Sequence, residues 1–356
     1  MTRRFTGWPS LTHEAVGVAM RSTLLSFLCA VLVLSSPGSA QTTGSTQLVI
    51  PAKVYNGYLV VVQGSIGGMG KKNFAIDTGA YPSIIDRSIA KKLHLVARNE
   101  ELRVVDHNIN SQATFVPSLS LGPIRATNLK VLMQDLTPIS ETFGVHLDAL
   151  IGLDILANSS FRIDYREKKV VFGPVDPLPM SAPMRWTDSM ACVDLKVNDQ
   201  PARLVVDTAA ASSMLFTQRL PWASAGSGDP HGYSNLGGGF TLHDIKAHSL
   251  ELGGNDLGAG QVFISNAKNL TPFHFDGLLA TGSLPFRQIA FDFERQLLAW
   301  EPAGTRADRI RVLNSTALRP ALTSPPPTPQ IGMAGACATM GMGCGGPGPL
   351  RIHSAR

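Results

Sequence analysis

The sequence predicts a mainly β protein built from two similar halves, and three observations carry the prediction. Short apolar runs punctuated by glycine and proline dominate the middle of the chain, and no long amphipathic helical stretch appears. Phe74-Ala75-Ile76-Asp77-Thr78-Gly79-Ala80 is echoed 130 residues later by Leu204-Val205-Val206-Asp207-Thr208-Ala209-Ala210. Each copy is then followed by matching landmarks in the same order, which is the mark of an internal repeat.

The strand-like runs are Tyr58–Val62, Lys72–Ile76, Asn128–Met133, Phe161–Tyr165 and Lys169–Phe172 in the first half. In the second they are Ala191–Val197, Ala202–Val206 and Phe291–Trp300. Short helices are expected after each Asp motif or over Leu150–Leu156. Among the landmarks, Leu119-Ser120-Leu121-Gly122 corresponds to Leu250-Glu251-Leu252-Gly253. Asp148-Ala149-Leu150-Ile151-Gly152 corresponds to Asp276-Gly277-Leu278-Leu279-Ala280, lying 71 and 69 residues beyond the two motifs. Phe161-Arg162-Ile163-Asp164-Tyr165 corresponds to Ile289-Ala290-Phe291-Asp292-Phe293, with Asp164 and Asp292 each 16 residues after Asp148 and Asp276. The proline-rich Gly173–Pro179 stretch is unsuited to helix or interior strand and separates the halves. The expected layout is therefore a first lobe over 48–173, a linker over 174–184 and a second lobe over 185–302. A Pro/Gly-rich tail over 303–356 is expected to be disordered.

At 356 residues, 44% of them apolar and 16% charged, the chain is long enough for two cores and too apolar for wholesale disorder. The formal net charge of +5 is scattered, without a basic run carrying interleaved aromatics, so nucleic acid is not an expected partner. Arg21 precedes an apolar stretch from Leu24 to Leu34, and Gly38 and Ala40 fit cleavage before Gln41. Residues 1–40 are thus expected to be an export signal, with Met20 well placed as the true start. The mature protein would be periplasmic or secreted, with no stable membrane span after cleavage. An uncleaved anchor is the competing reading, and the shortness of the apolar core disfavours it. Cleavage would leave Cys192, Cys337 and Cys344, an odd count that does not suit a disulfide framework. Cys337 and Cys344 could pair or both remain free.

Two carboxylates presented by two similar half-structures point to hydrolysis by a water held between them. Carboxyl groups a few ångströms apart cannot both ionise cheaply, so they share a proton in a coupled titration. The ionised partner takes a proton from water and the protonated one hydrogen-bonds the scissile carbonyl oxygen. Threonine hydroxyls donate and accept, which suits a rigid support, and glycine lets backbone approach a carboxylate closely.

With its apolar strand before Asp77-Thr78-Gly79 and a later Leu150-Ile151-Gly152, the chain resembles the aspartic peptidases of the retropepsin-like and pepsin-like group. The resemblance covers roughly Leu48 to Trp300. It implies a two-lobed, acid-protease-like β-barrel fold with an interlobe cleft, and a catalytic pair Asp77 and Asp207. It further implies that Thr78 and Thr208 form a buried hydrogen-bonded grip, with Gly79 and Ala209 supporting the two carboxylates. The expected function is an exported aspartic endopeptidase acting on peptide or protein substrates, without metal or organic cofactor. The chain is expected to be a monomer; a homodimer in which Asp77 pairs with its own copy remains open.

Ala209 and Ala280 stand where the first half has Gly79 and Gly152. A positive φ at Gly79 would make alanine strained at the equivalent place; a negative φ would make it harmless. This difference keeps open a non-catalytic peptide-binding protein on a degenerate fold, and a second lobe that is structural. Asp77 itself could be a turn aspartate closing a hairpin. Substrate flaps are expected within Val104–Thr114 and Ser234–Thr241, the latter carrying Gly237, Gly238 and Gly239, which could equally be an ordinary glycine loop. Gly64–Lys72 imitates a phosphate loop, but its spacing is wrong and the Ser/Thr after the lysine is missing, so it is a hairpin turn. The histidines show no metal spacing, His243 and His248 being surface residues, and no Gly-x-Ser-x-Gly nucleophile competes. Asp164 and Asp292 sit at strand–turn positions and are expected to be structural.

Overall fold

The computed structural model describes residues 47–304, apart from 105–107, 226–227, 229, 237, 259, 266–272 and 285. The expected export signal and nearly all of the expected tail, with Cys337 and Cys344, lie outside the described residues. The first half supplies strands β1 (Leu48–Tyr55), β2 (Leu59–Ile66), β3 (Met69–Ile76), β4 (Ile84–Asp86) and β5 (Arg98–Arg103). These continue as β6 (Asn108–Leu121), β7 (Ile124–Gln134), β8 (Ala149–Ile151), β9 (Phe161–Asp164) and β10 (Lys169–Phe172). Three short helices interrupt them: α1 (Arg87–Lys92), α2 (Thr137–Phe143) and α3 (Leu153–Leu156). The second half supplies β11 (Met180–Thr187), β12 (Met190–Val197), β13 (Gln200–Asp207), β14 (Met214–Phe216), β15 (Pro230–Asn235) and β16 (Gly238–Ala247). It ends with β17 (Leu250–Leu252), β18 (Asn255–Asp256), β19 (Gly260–Ser265), β20 (Gly277–Ala280), β21 (Phe286–Asp292) and β22 (Leu297–Pro302). The protein is mainly β, with the two-lobed architecture of an acid protease.

Both lobes use one pairing scheme. In the first, β3 lies antiparallel to β2 and parallel to β8, while β4 runs antiparallel to β8 and parallel to β7. In the second, β13 lies antiparallel to β12 and parallel to β20, while β14 runs antiparallel to β20 and parallel to β19. The aspartates at the repeat landmarks do matching work. Asp148 Oδ2 accepts the Asn73 N–H at 2.8 Å, and Asp276 Oδ2 accepts the Arg203 N–H at 2.9 Å. Each carboxylate thereby ties the strand leading to a motif aspartate to the start of its parallel neighbour.

A further sheet joins the lobes in the order β1-β10-β9-β21-β22-β11. At its centre β9 and β21 pair Phe161 with Phe291, whose rings stack at 4.9 Å, and Trp300 is buried beside them. One apolar core therefore runs from lobe to lobe beneath the site. A second apolar cluster covers the other face of the first-lobe sheet, where Leu59, Val61 and Ala75 point away from Val60, Val62, Phe74 and Ile76.

Two sequence expectations need correction. Phe291–Trp300 is not one strand: residues 293–296 turn between β21 and β22, with Gln296 in the left-handed region at φ 54°. Asp292 Oδ1 closes this turn by accepting the Arg295 N–H at 2.9 Å, as Asp164 Oδ1 accepts the Glu167 N–H at 2.8 Å in the first lobe. The segment 180–184, expected to be linker, is the start of β11, where Met180 to Pro183 pair with Trp300 to Leu297. Its alternation of buried and exposed side chains completes the edge of the joining sheet. The Gly67-Gly68 pair, at φ +55° and +80°, makes the β2–β3 turn that the phosphate-loop look-alike was expected to form.

Candidate active site

The topology explains why the two motif aspartates meet. β3 and β13 are each held between two neighbours, and their C-terminal ends deliver Asp77 and Asp207 to facing loops. These loops interlock through the threonines. The Thr78 N–H donates to Thr208 Oγ1 at 3.0 Å and the Thr208 N–H donates to Thr78 Oγ1 at 3.1 Å. In turn the Thr78 hydroxyl donates to the Val206 carbonyl at 2.6 Å and the Thr208 hydroxyl to the Ile76 carbonyl at 2.8 Å. Both threonines are fully buried, so each of these bonds satisfies a backbone group that water cannot reach.

The carboxylates are held unequally. Asp77 Oδ1 accepts the Gly79 N–H at 3.0 Å, and Asp77 Oδ2 is buried without a hydrogen-bond partner. Asp207 Oδ1 accepts two backbone N–H groups, Ala209 at 2.8 Å and Ala210 at 2.9 Å. A methyl group placed on Gly79 would overlap the Asp207 carboxylate, so the glycine whose N–H binds Asp77 also lies directly against the second acid. Burial first, then the neighbouring Asp207 charge, push the Asp77 carboxyl well above the usual carboxylate range, against the opposing pull of the Gly79 N–H.

The alanines at the second loop cause no strain. Gly79 is not among the residues with positive φ, so its role is close approach rather than left-handed backbone. Ala209 is fully buried and packs into the apolar cluster of the first lobe. Ala280 is accommodated by moving the bare backbone two residues along. In the first lobe Gly152 lies against the Ala80 carbonyl, whereas in the second Gly282 lies against the Ala210 carbonyl.

Sequence reasoning missed Tyr58, which sits in the turn before β2 and packs edge-on against Phe143 at 5.8 Å. Burial, then the Asp207 charge, push its phenol upward, which places the ring in the electrostatic reach of the site. A tyrosine before an apolar strand carries no distinctive pattern, so only the fold reveals it.

Both aspartates are fully buried. The hairpin β15–β16 brings Leu236, at its turn, onto the first-lobe apolar cluster together with Ala211. Gly237 lies outside the described residues; Gly238 and Gly239 belong to β16, paired with Asn235 and Ser234 rather than forming a loop. In the first lobe the hairpin β5–β6 occupies the expected flap position, and its residues 105–107 lie outside the described ones. Cavities of about 730 and 580 Å³ open beside that hairpin, not at the aspartates. Among the described residues no cluster of three His, Cys, Asp or Glu side chains could hold a metal ion, and no helix is long and apolar enough to cross a membrane. Of the two histidines expected at the surface, His248 is exposed, whereas His243 is half-buried with Nδ1 3.2 Å from the Gly228 carbonyl.

Comparison with known families picks out the same region. Residues 62–155 match the aspartyl protease family. The matched segment runs from β2 into α3, so it contains both Asp77-Thr78-Gly79 and Leu150-Ile151-Gly152. The resemblance to the aspartic peptidases stands on that segment. No curated protein sequence matches the chain.

Proposed function

We propose that the protein is an exported aspartic endopeptidase in which Asp77 and Asp207 form one catalytic pair. The observation that carries this reading is the reciprocal threonine grip, which holds together the loops of two buried carboxylates that both lie against Gly79. A structural turn aspartate needs neither a buried charge partner nor an orphaned oxygen.

The unequal hydrogen bonding supports a choice of starting roles. Asp207, with two N–H donors, is the ionised base; Asp77, with its carboxyl pushed up, carries the shared proton. Asp207 removes a proton from the attacking water as its oxygen adds to the peptide carbonyl carbon, and Asp77 gives its proton to the carbonyl oxygen. In the resulting gem-diol, Asp77 recovers a proton from one hydroxyl while Asp207 delivers its own to the leaving nitrogen. The C–N bond breaks and the pair returns to its starting state. Since both acids are buried, the groups that cover them must part before an extended peptide reaches the pair. The equivalent pairings of the two lobes support their origin by internal duplication, and one chain carrying both aspartates supports a monomeric site. Export rests on the apolar Leu24–Leu34 stretch and the Gly38/Ala40 cleavage pattern. A mature N-terminus at Gln41 in the exported protein would match it.

Asp77→Asn and Asp207→Asn should each abolish hydrolysis of a peptide library while leaving the unfolding transition cooperative. Full turnover in either variant would overturn the paired mechanism. A second reading, a peptide-binding protein without catalysis, is favoured by the complete burial of both acids. It requires the wild type to bind peptides without cleaving them at any pH from acid to neutral.

A further inference from the structure

Behind the Asp77 loop lies a carboxyl group that the reaction does not use. Asp154, in α3, accepts two hydrogen bonds on Oδ1, from the Ser83 hydroxyl at 2.6 Å and the Ser83 N–H at 3.0 Å. The Ser83 oxygen itself accepts the Gly152 N–H at 2.9 Å. Next to it the Leu153 N–H donates to the Ala80 carbonyl at 2.9 Å, and the Ala80 N–H donates to the Asp77 carbonyl at 3.2 Å. Asp154 thus stands at the end of a path of hydrogen bonds, joined through the Gly152–Leu153 and Ala80 backbone, that fixes the loop presenting Asp77.

The second lobe performs the same task without an ionisable group. Ser213 occupies the place of Ser83, six residues after the motif aspartate in each copy, and accepts the Ala280 N–H at 3.0 Å. Its partner is not a carboxylate but Ser283, with the two hydroxyl oxygens 2.7 Å apart. Ser283 also donates to the Ala280 carbonyl at 2.9 Å. One loop is braced by Ser–Asp and the other by Ser–Ser.

We propose that Asp154 is a positioning residue for Asp77, acting through Ser83, and that it makes the Asp77 half of the site, but not the Asp207 half, sensitive to pH. Asp154 is half-buried as a residue, yet its Oδ2 is shut away from solvent and has no hydrogen-bond partner. Ionisation therefore places charge on an oxygen that nothing solvates. Desolvation raises its pKa from 3.8 to about 6, outweighing the hydrogen bonds from Ser83 and the Ile155 N–H. The groups facing its carboxyl are Ser83 from the loop after β3 and the Ile155 N–H from its own helix, and none of them is charged. A folded-state pKa above the unfolded value stabilises fully below the unfolded pKa, and the effect is lost as pH rises through the folded one. The window here is about pH 4 to 6, and the change in folding equilibrium is at most on the order of a hundredfold.

The role in positioning Asp77 rests on the peptidase reading, so the test has one arm that does not. In the full chain, thermal unfolding and peptide hydrolysis are followed between about pH 4 and pH 7 for wild type, Asp154→Asn and Asp154→Ala. Asn keeps the oxygen that Ser83 donates to and removes the titration. The unfolding measurement is repeated in an Asp77→Asn background, which removes the titration of Asp77 itself from the stability arm. Expected results are a wild-type stability that falls relative to Asp154→Asn as pH rises, acid activity retained in Asp154→Asn, and its alkaline limb moved upward. Asp154→Ala should lose activity across the range; if it does not fold, the Asn variant alone decides. Parallel stability curves for wild type and Asp154→Asn would overturn the proposal whether or not the protein cleaves peptides. Diverging curves in a protein that cleaves nothing would support Asp154 as the titrating brace and dispose of the peptidase reading instead.

Discussion

Replacing Thr208 by valine tests whether the grip holds the two halves of the site together. Valine is nearly isosteric, so the change removes hydrogen bonds rather than volume. It leaves the Thr78 N–H and the Ile76 carbonyl, now bonded at 3.0 and 2.8 Å, buried without partners. A buried polar group left unsatisfied costs roughly 1–3 kcal/mol, so the pair amounts to about 2–6 kcal/mol. Thr208→Ser keeps the hydroxyl and loses one methyl group, for about 1 kcal/mol. Urea unfolding midpoints at unchanged m-value measure the difference. Thr78→Val removes a separate set of bonds, to the Thr208 N–H and the Val206 carbonyl. The two variants share only the long 3.4 Å contact between the Thr78 and Thr208 hydroxyls, and the loops can part once either set is lost, so the double variant should fall short of the sum by at least ~0.5 kcal/mol. Thr208→Val no more damaging than Thr208→Ser would refute the grip. Strict additivity would reduce each threonine to a local cap.

Gly79→Ala should cut peptide turnover by roughly 10²-fold or more, because its methyl group overlaps the Asp207 carboxylate and small misplacements at a reacting centre are that costly; the reciprocal Ala209→Gly, measured in the same assay, should be mild. Gly282→Ala should destabilise by about 1–3 kcal/mol in denaturant titration, since its Cβ would lie 2.7 Å from the Ala210 carbonyl and 2.8 Å from Ala211. Asp77→Asn should also flatten the dependence of stability on pH. The raised Asp77 carboxyl favours the folded state below its unfolded value near 3.8, and that advantage is lost as pH climbs through the folded pKa.

Much of this arrangement was legible in the sequence because it obeys local rules. An apolar strand ending in Asp-Thr forces a carboxylate onto a loop at a strand end, and its recurrence with Asp148/Asp276 and Asp164/Asp292 announces two copies. Phe291–Trp300 misled because its flanks are both strand-like and the turn depends on Gln296 adopting a left-handed backbone, which glutamine does not advertise. Tyr58 and Asp154 were invisible for a different reason. Neither lies in a recognisable chemical pattern, and each gains its role from long-range pairing, Tyr58 through the first-lobe cluster and Asp154 through a serine 71 residues away.

The unequal halves follow from the same geometry. Gly79 and Ala209 occupy equivalent places, yet only Gly79 has a carboxylate pressed against it, while the methyl group of Ala209 fills apolar space in the opposite lobe. Ala209 therefore does not weaken the hold on Asp207, whose Oδ1 takes two backbone donors where Asp77 Oδ1 takes one. More donors favour ionisation, and fewer donors with an orphaned Oδ2 favour retention of the proton. Two identical halves would leave the shared proton undecided. The glycine-to-alanine difference, which from sequence alone looked like decay of the second copy, is compatible with the proposed division of labour in which Asp207 is the base and Asp77 the acid.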